Sequence, residues 1–94
     1  MEQIINGLRY DTETAALVAS DRWWDGHNFE RNGRNTYLYR TKAGRFFVYR
    51  TSQWQGERDH IEPVEEDEAR FYYEQLPEHE MSYGEIFGEE PREA

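Results

Sequence analysis

Residues 35–53 read NTYLYRTKAGRFFVYRTSQ, and the fold turns on this stretch. Two runs rich in β-branched and aromatic residues, 35–41 (NTYLYRT) and 45–53 (RFFVYRTSQ), flank Lys42-Ala43-Gly44. A glycine closing so short a loop supplies the positive φ that a tight hairpin needs. Side chains alternate across a strand. Tyr37, Tyr39 and Thr41 therefore share one face, opposite Leu38 and Arg40. On the return strand Phe47, Tyr49 and Thr51 oppose Phe46, Val48 and Arg50. An antiparallel hairpin with an aromatic face is predicted.

Working toward the N-terminus, residues 21–34 (DRWWDGHNFERNGR) carry Trp23, Trp24 and Phe29 between the turn pairs Asp25-Gly26 and Asn32-Gly33. They read as a short strand around 22–24 and another at 28–31. Before them, Asp11-Thr12-Glu13-Thr14 places side-chain acceptors and an acid where a helix would begin. Ala15 to Ala19 would continue that helix. Residues 2–5 (EQII) form a strand, Asn6-Gly7 a hairpin turn, and Leu8-Arg9-Tyr10 the return.

Toward the C-terminus, residues 60–64 (HIEPV) suit a short edge strand, since Pro63 cannot donate to a central ladder. In EEDEARFYYEQL, residues 65–76, Ala69, Tyr72, Tyr73 and Leu76 fall at i, i+3, i+4 and i+7, one face of a helix. Glu65 to Glu68 fill its first turn, where acids suit the dipole, and Pro77 stops it. Residues 78–87 give a last turn or short helix, and 88–94 a disordered tail. The fold class is α+β: a small antiparallel β-meander of three to five strands, with a short N-terminal helix and a C-terminal amphipathic acidic helix, in one domain over 1–87. Trp23 or Trp24, Leu38, Phe47, Tyr49, Tyr72 and Leu76 are the expected core.

Composition limits the core and the partners. Ile, Leu, Val and Phe number sixteen, 17% of 94 residues, and the net charge is −9. That combination falls below the roughly 20% aliphatic-plus-Phe content usual for folded chains. Three Trp, seven Tyr and five Phe offset it, since each buries on the order of 150–250 Å². There is no cysteine, so disulfide scaffolds, thiolate zinc sites and Cys nucleophiles are excluded. No apolar run approaches the roughly 20 residues of a membrane span, and MEQIING has no secretory pattern. The expected location is the cytoplasm.

Charge is distributed unevenly. Residues 1–50 carry eight Lys/Arg and six Asp/Glu, whereas residues 51–94 carry three Arg and fourteen Asp/Glu. From 31 to 56 there are six basic residues and no acid. The two blocks give two candidate surfaces. In the hairpin, Arg40, Lys42, Arg45 and Arg50 among exposed aromatics could hold phosphate and stack bases. The plainer reading, that the aromatics are core and the arginines pair with the acidic helix, is preferred because a small domain must bury its rings. In the C-terminal block, Asp59, Glu62, Glu65, Glu66, Asp67, Glu68, Glu74, Glu78 and Glu80 could approximate the charge track of a duplex. Helix residues four apart lie about 6 Å from each other, and phosphates of one strand advance about 3.4 Å per base pair. Tyr72 or Tyr83 would add a stacking anchor. The plain alternative is a solvated helix face.

Catalysis and metal binding find little support. His27, His60 and His79 lack chelating spacing, and Ser20, Ser52 and Ser82 lack a nucleophile elbow. No cofactor, no metal and no enzymatic activity are expected.

The segments IINGLRYDTETAALVAS (4–20), TYLYRTKAGRFFVY (36–49), IEPV and EEDEARFYYEQL resemble a family of small proteins from bacteria, phages and mobile elements. These share an RYDTETA-like segment, a YRTKxGxFF-like hairpin and a closing acidic helix. A Gly-rich loop often follows the hairpin in that family; here TSQWQGERD (51–59) stands in its place. In size, acidity and absence of cysteine the chain also resembles anti-CRISPR and anti-restriction proteins that imitate DNA. The resemblance implies a non-enzymatic inhibitor whose acidic surface occupies the DNA-binding cleft of a CRISPR effector subunit. It would act as a monomer or weak dimer, with no direct binding to nucleic acid and none to membrane.

Overall fold

In the computed structural model, residues 1–21, 34–52, 56, 58–89, 91 and 93 are described. The strands expected at 22–24 and 28–31, and the core roles of Trp23 and Trp24, lie outside them. Strands β1 (Glu2–Ile5) and β2 (Leu8–Asp11) form a two-stranded ribbon of their own. Asn6 at φ 53° and Gly7 at φ 77° make its turn, the left-handed pair that matches strand twist. Strands β3 (Ala16–Ser20), β4 (Arg34–Arg40), β5 (Phe46–Ser52) and β6 (His60–Val64) neighbour one another in sequence order. Helix α1 (Glu66–Gln75) then carries the chain back, so that β7 (Glu78–His79) pairs with β3 at the opposite edge. A short helix α2 (Tyr83–Phe87) follows, capped by Ser82, whose hydroxyl accepts from Glu85 N–H at 3.2 Å. The five-stranded sheet is antiparallel throughout. The α+β class and the sequential strands match the sequence reading, but the ribbon stands apart from the sheet and β7 adds a crossover.

The N-terminal helix expected over 11–19 is corrected to a turn followed by β3. Asp11 does collect backbone donors, from Glu13 N–H onto its carboxylate at 2.9 Å and from Ala15 N–H onto its carbonyl at 3.0 Å. The turn is not propagated. Five further residues are too few for a stable isolated helix, and as a strand they pair on both sides, with β4 and with β7. A register shift between Leu17 and Ala19 inserts Val18 as an extra residue, fully buried. Beyond β3, the buried Asp21 carboxylate accepts from Thr36 N–H at 2.9 Å and from Asn35 Nδ2 at 3.2 Å.

In the β4–β5 hairpin β4 lies one residue earlier than expected and β5 is one residue shorter at each end, and Gly44 at φ 91° closes the loop. Alternation sends its side chains to two cores. Leu38, Phe46 and Val48 pack with Val18, Ala69, Tyr73, Leu76 and Ile86 beneath the helices. Phe47 faces the other way, edge-on to Tyr10 of the ribbon at 5.5 Å and stacked on Tyr39 at 5.2 Å, with Ile61 beside it. The helices thus cover one sheet face and the ribbon covers part of the other. Leu38, Phe47 and Leu76 are buried as expected, while Tyr49 and Tyr72 are only partly so because their hydroxyls reach polar partners at the rim.

The outer edge of β6 is closed in two ways. Gln3 Oε1 accepts from Ile61 N–H at 3.3 Å. Pro63, two residues on and on the same side, has no N–H to offer.

Candidate partner-binding surface

Helix α1 positions the acidic block. Its core stripe is Ala69, Tyr73 and Leu76, with Tyr72 half-buried alongside. Glu65, Glu66, Asp67 and Glu68 all remain exposed in and before the first turn. Three of the four also act locally. Glu68 Oε1 accepts from Glu65 N–H at 3.2 Å, Asp67 accepts from Glu68 N–H at 2.9 Å, and Glu66 pairs with Arg70 at 2.9 Å. These contacts satisfy helix-start donors and use the favourable end of the dipole.

Arg70 is the organising cation of this region. Besides Glu66 it lies 3.6 Å from Glu89, donates to the Tyr83 hydroxyl and sits 4.6 Å from the centre of the Phe87 ring. The hydrogen bond it donates to Glu66 leads the effects that raise its pKa. Arg70 is therefore committed internally to α2 and the segment after it.

The remaining predicted acids divide into engaged and open groups. Asp59 accepts from the Tyr49 hydroxyl at 3.2 Å and from Ser52 N–H at 3.1 Å, tying the approach to β6 onto β5. Burial and then the Asp59 charge raise the Tyr49 pKa. Glu62 receives Arg50 Nε at 3.2 Å and faces His60 Nε2 at 3.0 Å. Partial burial pushes the Glu62 carboxyl upward, but the hydrogen bonds from His60 and Arg50 outweigh it, and the pKa lies below its ordinary 4.5. Among the described residues, no Lys or Arg reaches ion-pair distance of Glu65, Asp67, Glu68, Glu74, Glu78 or Glu80. The acids named from sequence thus do not form one patch of equivalent groups. Asp59, Glu62 and Glu66 hold the fold together, and the others stand as uncompensated charge.

The basic hairpin is likewise divided. Arg50 reaches Glu62, the Tyr72 hydroxyl at 2.6 Å and the Thr36 hydroxyl at 3.5 Å, with its guanidinium 5.6 Å from the Tyr72 ring centre. Its carboxylate partner is on β6, whereas its link to the acidic helix runs through a tyrosine. Arg40 is half-buried, and Lys42 and Arg45 are exposed at the hairpin end. Of the two tyrosines expected as anchors, Tyr72 carries this Arg50 contact and Tyr83 the Arg70 contact.

Two depressions flank α1. One, of about 290 Å³, runs from Gly44, Arg45 and Phe46 to Glu65, Glu66 and Glu68. The other, of about 630 Å³, lies among Tyr73, Glu74, His79, Tyr83 and Pro91, where the His79 ring stacks on Tyr73 at 4.0 Å. Among the described residues no cluster of three or more His, Asp or Glu is placed to hold a metal ion, and no helix is long and apolar enough to cross a membrane.

Phe71 is the residue the sequence reading passed over. It is 52% exposed, an aromatic ring on the outward side of α1. Its signal was present in the pattern, since a large apolar residue off the i, i+3, i+4, i+7 stripe has no place in the core. Comparisons of the chain with known protein families, with characterised proteins and with solved structures find no match.

Proposed function

We propose that this protein is a non-enzymatic inhibitor from a phage or mobile element, an anti-CRISPR protein acting in the bacterial cytoplasm. Its acidic face occupies a Lys/Arg-lined DNA-binding cleft of a CRISPR effector complex. The observation that carries this reading is the set of exposed carboxylates on and after α1 with no cation at ion-pair distance among the described residues, beside an Arg70 that is already committed. Uncompensated charge of one sign raises the on-rate toward an opposite surface and repels nucleic acid itself. The competing reading, phosphate binding by the hairpin, loses Arg50 to an internal network and rests on Arg40, Lys42 and Arg45.

Asp67, Glu74 and Glu80 are the carboxylates to reverse, because all three are exposed and none is in an ion pair. Changing them to Lys abolishes competition with target DNA for purified effector complexes, while the fold survives with a loss of about 1 kcal/mol or less from the helix-start contact of Asp67. Changing Lys42 and Arg45 to Glu has little effect on either. Wild-type binding to effector weakens steeply with salt, and wild-type protein does not shift random duplex in a gel. Unchanged competition by the acidic triple variant, or micromolar affinity for duplex, overturns the proposal.

A further inference from the structure

We infer that the depression at the start of α1 binds a small zwitterion, a free amino acid, with its ammonium toward the helix and its carboxylate toward the hairpin. The depression, of about 290 Å³, lies where the β4–β5 loop, the β6–α1 junction and the ribbon meet. The start of α1 contributes Glu65, Glu66 and Glu68 to its lining, and the hairpin contributes Arg45. Glu66 is paired with Arg70, and Glu68 lends one oxygen to Glu65 N–H. Glu65, Glu68 and Arg45 make no ion pair with any described residue. Opposite charges thus line one hollow without neutralising each other. Thr41 fixes the Arg45 backbone on both sides. Its N–H donates to the Arg45 carbonyl at 2.7 Å, and its hydroxyl accepts from Arg45 N–H at 3.1 Å. The exposed guanidinium is left for a ligand.

Tyr10 supplies an independent sign of a ligand. It is 5% exposed and packs edge-on against Phe47, yet it lines this depression. Among the described residues its hydroxyl has no hydrogen-bond partner, although a phenol so deeply placed ordinarily finds one. A carboxylate in the depression would accept from it. The lining then selects the occupant. Phosphate and nucleic acid would meet two uncompensated carboxylates and be repelled. An amine alone would satisfy Glu65 and Glu68 but face an unpaired guanidinium, and a simple anion would do the reverse. Among the described residues no group of three His, Asp or Glu is arranged to hold a metal ion. The volume stands at the lower end of ligand sites, which start near about 300 Å³. One small molecule carrying both signs fits the charges and the space. Its carboxylate can pair with Arg45 and its ammonium with Glu65 and Glu68, both through charge-assisted hydrogen bonds.

The test uses the full-length protein and the common free L-amino acids, with propylamine and propionate as controls carrying one charge each. Calorimetric titration gives saturable one-to-one binding of at least one amino acid at millimolar concentration or below, and that amino acid raises the unfolding temperature. Each control binds about tenfold more weakly or worse, since it lacks one of the charge-assisted contacts. Amide NMR signals of Gly44, Arg45 and the first turn of α1 move during the titration, and those of β7 stay in place. Arg45→Met and Glu68→Gln each weaken binding about tenfold, and Tyr10→Phe, which deletes only the unpartnered hydroxyl, weakens it severalfold. Without ligand the Arg45 and Glu68 variants unfold near the wild-type temperature, because Arg45 is exposed and Gln still accepts from Glu65 N–H. No saturable binding by any amino acid at millimolar concentration overturns the site. Propylamine or propionate binding as tightly as the amino acid overturns the zwitterion. Full affinity in Arg45→Met, with signals moving elsewhere on the surface, overturns the location.

Discussion

Glu62 is held by Arg50 from the neighbouring strand and by the His60 ring from its own. Both hydrogen bonds favour the charged carboxylate, and its pKa lies below 4.5 despite partial burial. A carboxyl whose pKa is depressed by folding stabilises fully above the unfolded value and loses that contribution as the pH falls through the folded value. Urea unfolding of wild type and Glu62→Gln, measured from about pH 7 to about pH 3, therefore gives a difference that is constant above about 4.5 and narrows in acid. A difference that stays constant down to the lowest pH would show that the pair does not depend on the carboxylate charge. Removing Arg50 is harsher, since it strips a donor from Glu62, Tyr72 and Thr36 together. Groups left part-buried without partners are destabilising in a way that exposed Lys42 or Arg45 are not.

At the scale of elements, the hairpin loop isolates a backbone effect. A Cβ added at Gly44 would meet nothing within 4 Å, yet its φ is +91°. Gly44→Ala is thus a test of conformation without steric clash inside the fold. It should destabilise by about 1–2 kcal/mol, read from denaturant midpoints with an unchanged m-value, and full stability would mean the loop relaxes to negative φ. The same kind of local chemistry explains what could be read from sequence. Asn6-Gly7, Gly44, Pro63 and Pro77 impose backbone constraints that need no tertiary context, and the ribbon, hairpin, edge strand and end of α1 follow from them. The segment 15–19 does not work this way. Ala, Ala, Leu, Val and Ala tolerate helix and strand alike, and vacant ladder positions on β4 and β7 decided between them. Residues 78–79 form a strand for the same reason, with β3 as template. For the candidate surface, the count of acids was legible, but which of them are spent on Arg50, His60, Tyr49 and Arg70 depended on contacts between elements.

Across the whole molecule, a sheet with helices on one face and a ribbon on part of the other makes two small aromatic cores from one set of strands. That layout answers the shortage of aliphatic residues, because each face needs only a few large rings. Phe46, Phe87, Tyr73 and Tyr83 serve the helical side, and Tyr10, Tyr39 and Phe47 the ribbon side. It also leaves acids on the outward side of α1 exposed to solvent. The acids there carry like charge close together, a standing repulsion that the fold tolerates and that an opposing cationic surface would relieve.

The closure of the β6 edge by Gln3 and Pro63 bears on what happens when many copies are crowded together. A strand from a neighbouring chain approaching that edge meets carbonyl oxygens at Ile61 and Pro63 but no donor, so it cannot extend the ladder in either direction. That edge is thereby a poor template for fibril growth, even in acid, where the carboxylates that otherwise keep copies apart become neutral. Replacing Gln3 with Ala and Pro63 with Val exposes one donor and creates another two residues along. Under mildly acidic agitation this double variant should bind thioflavin T after a shorter lag than the wild type, and equal lag times would locate the protection elsewhere. Geometry at this edge thus works against strand pairing where charge no longer does.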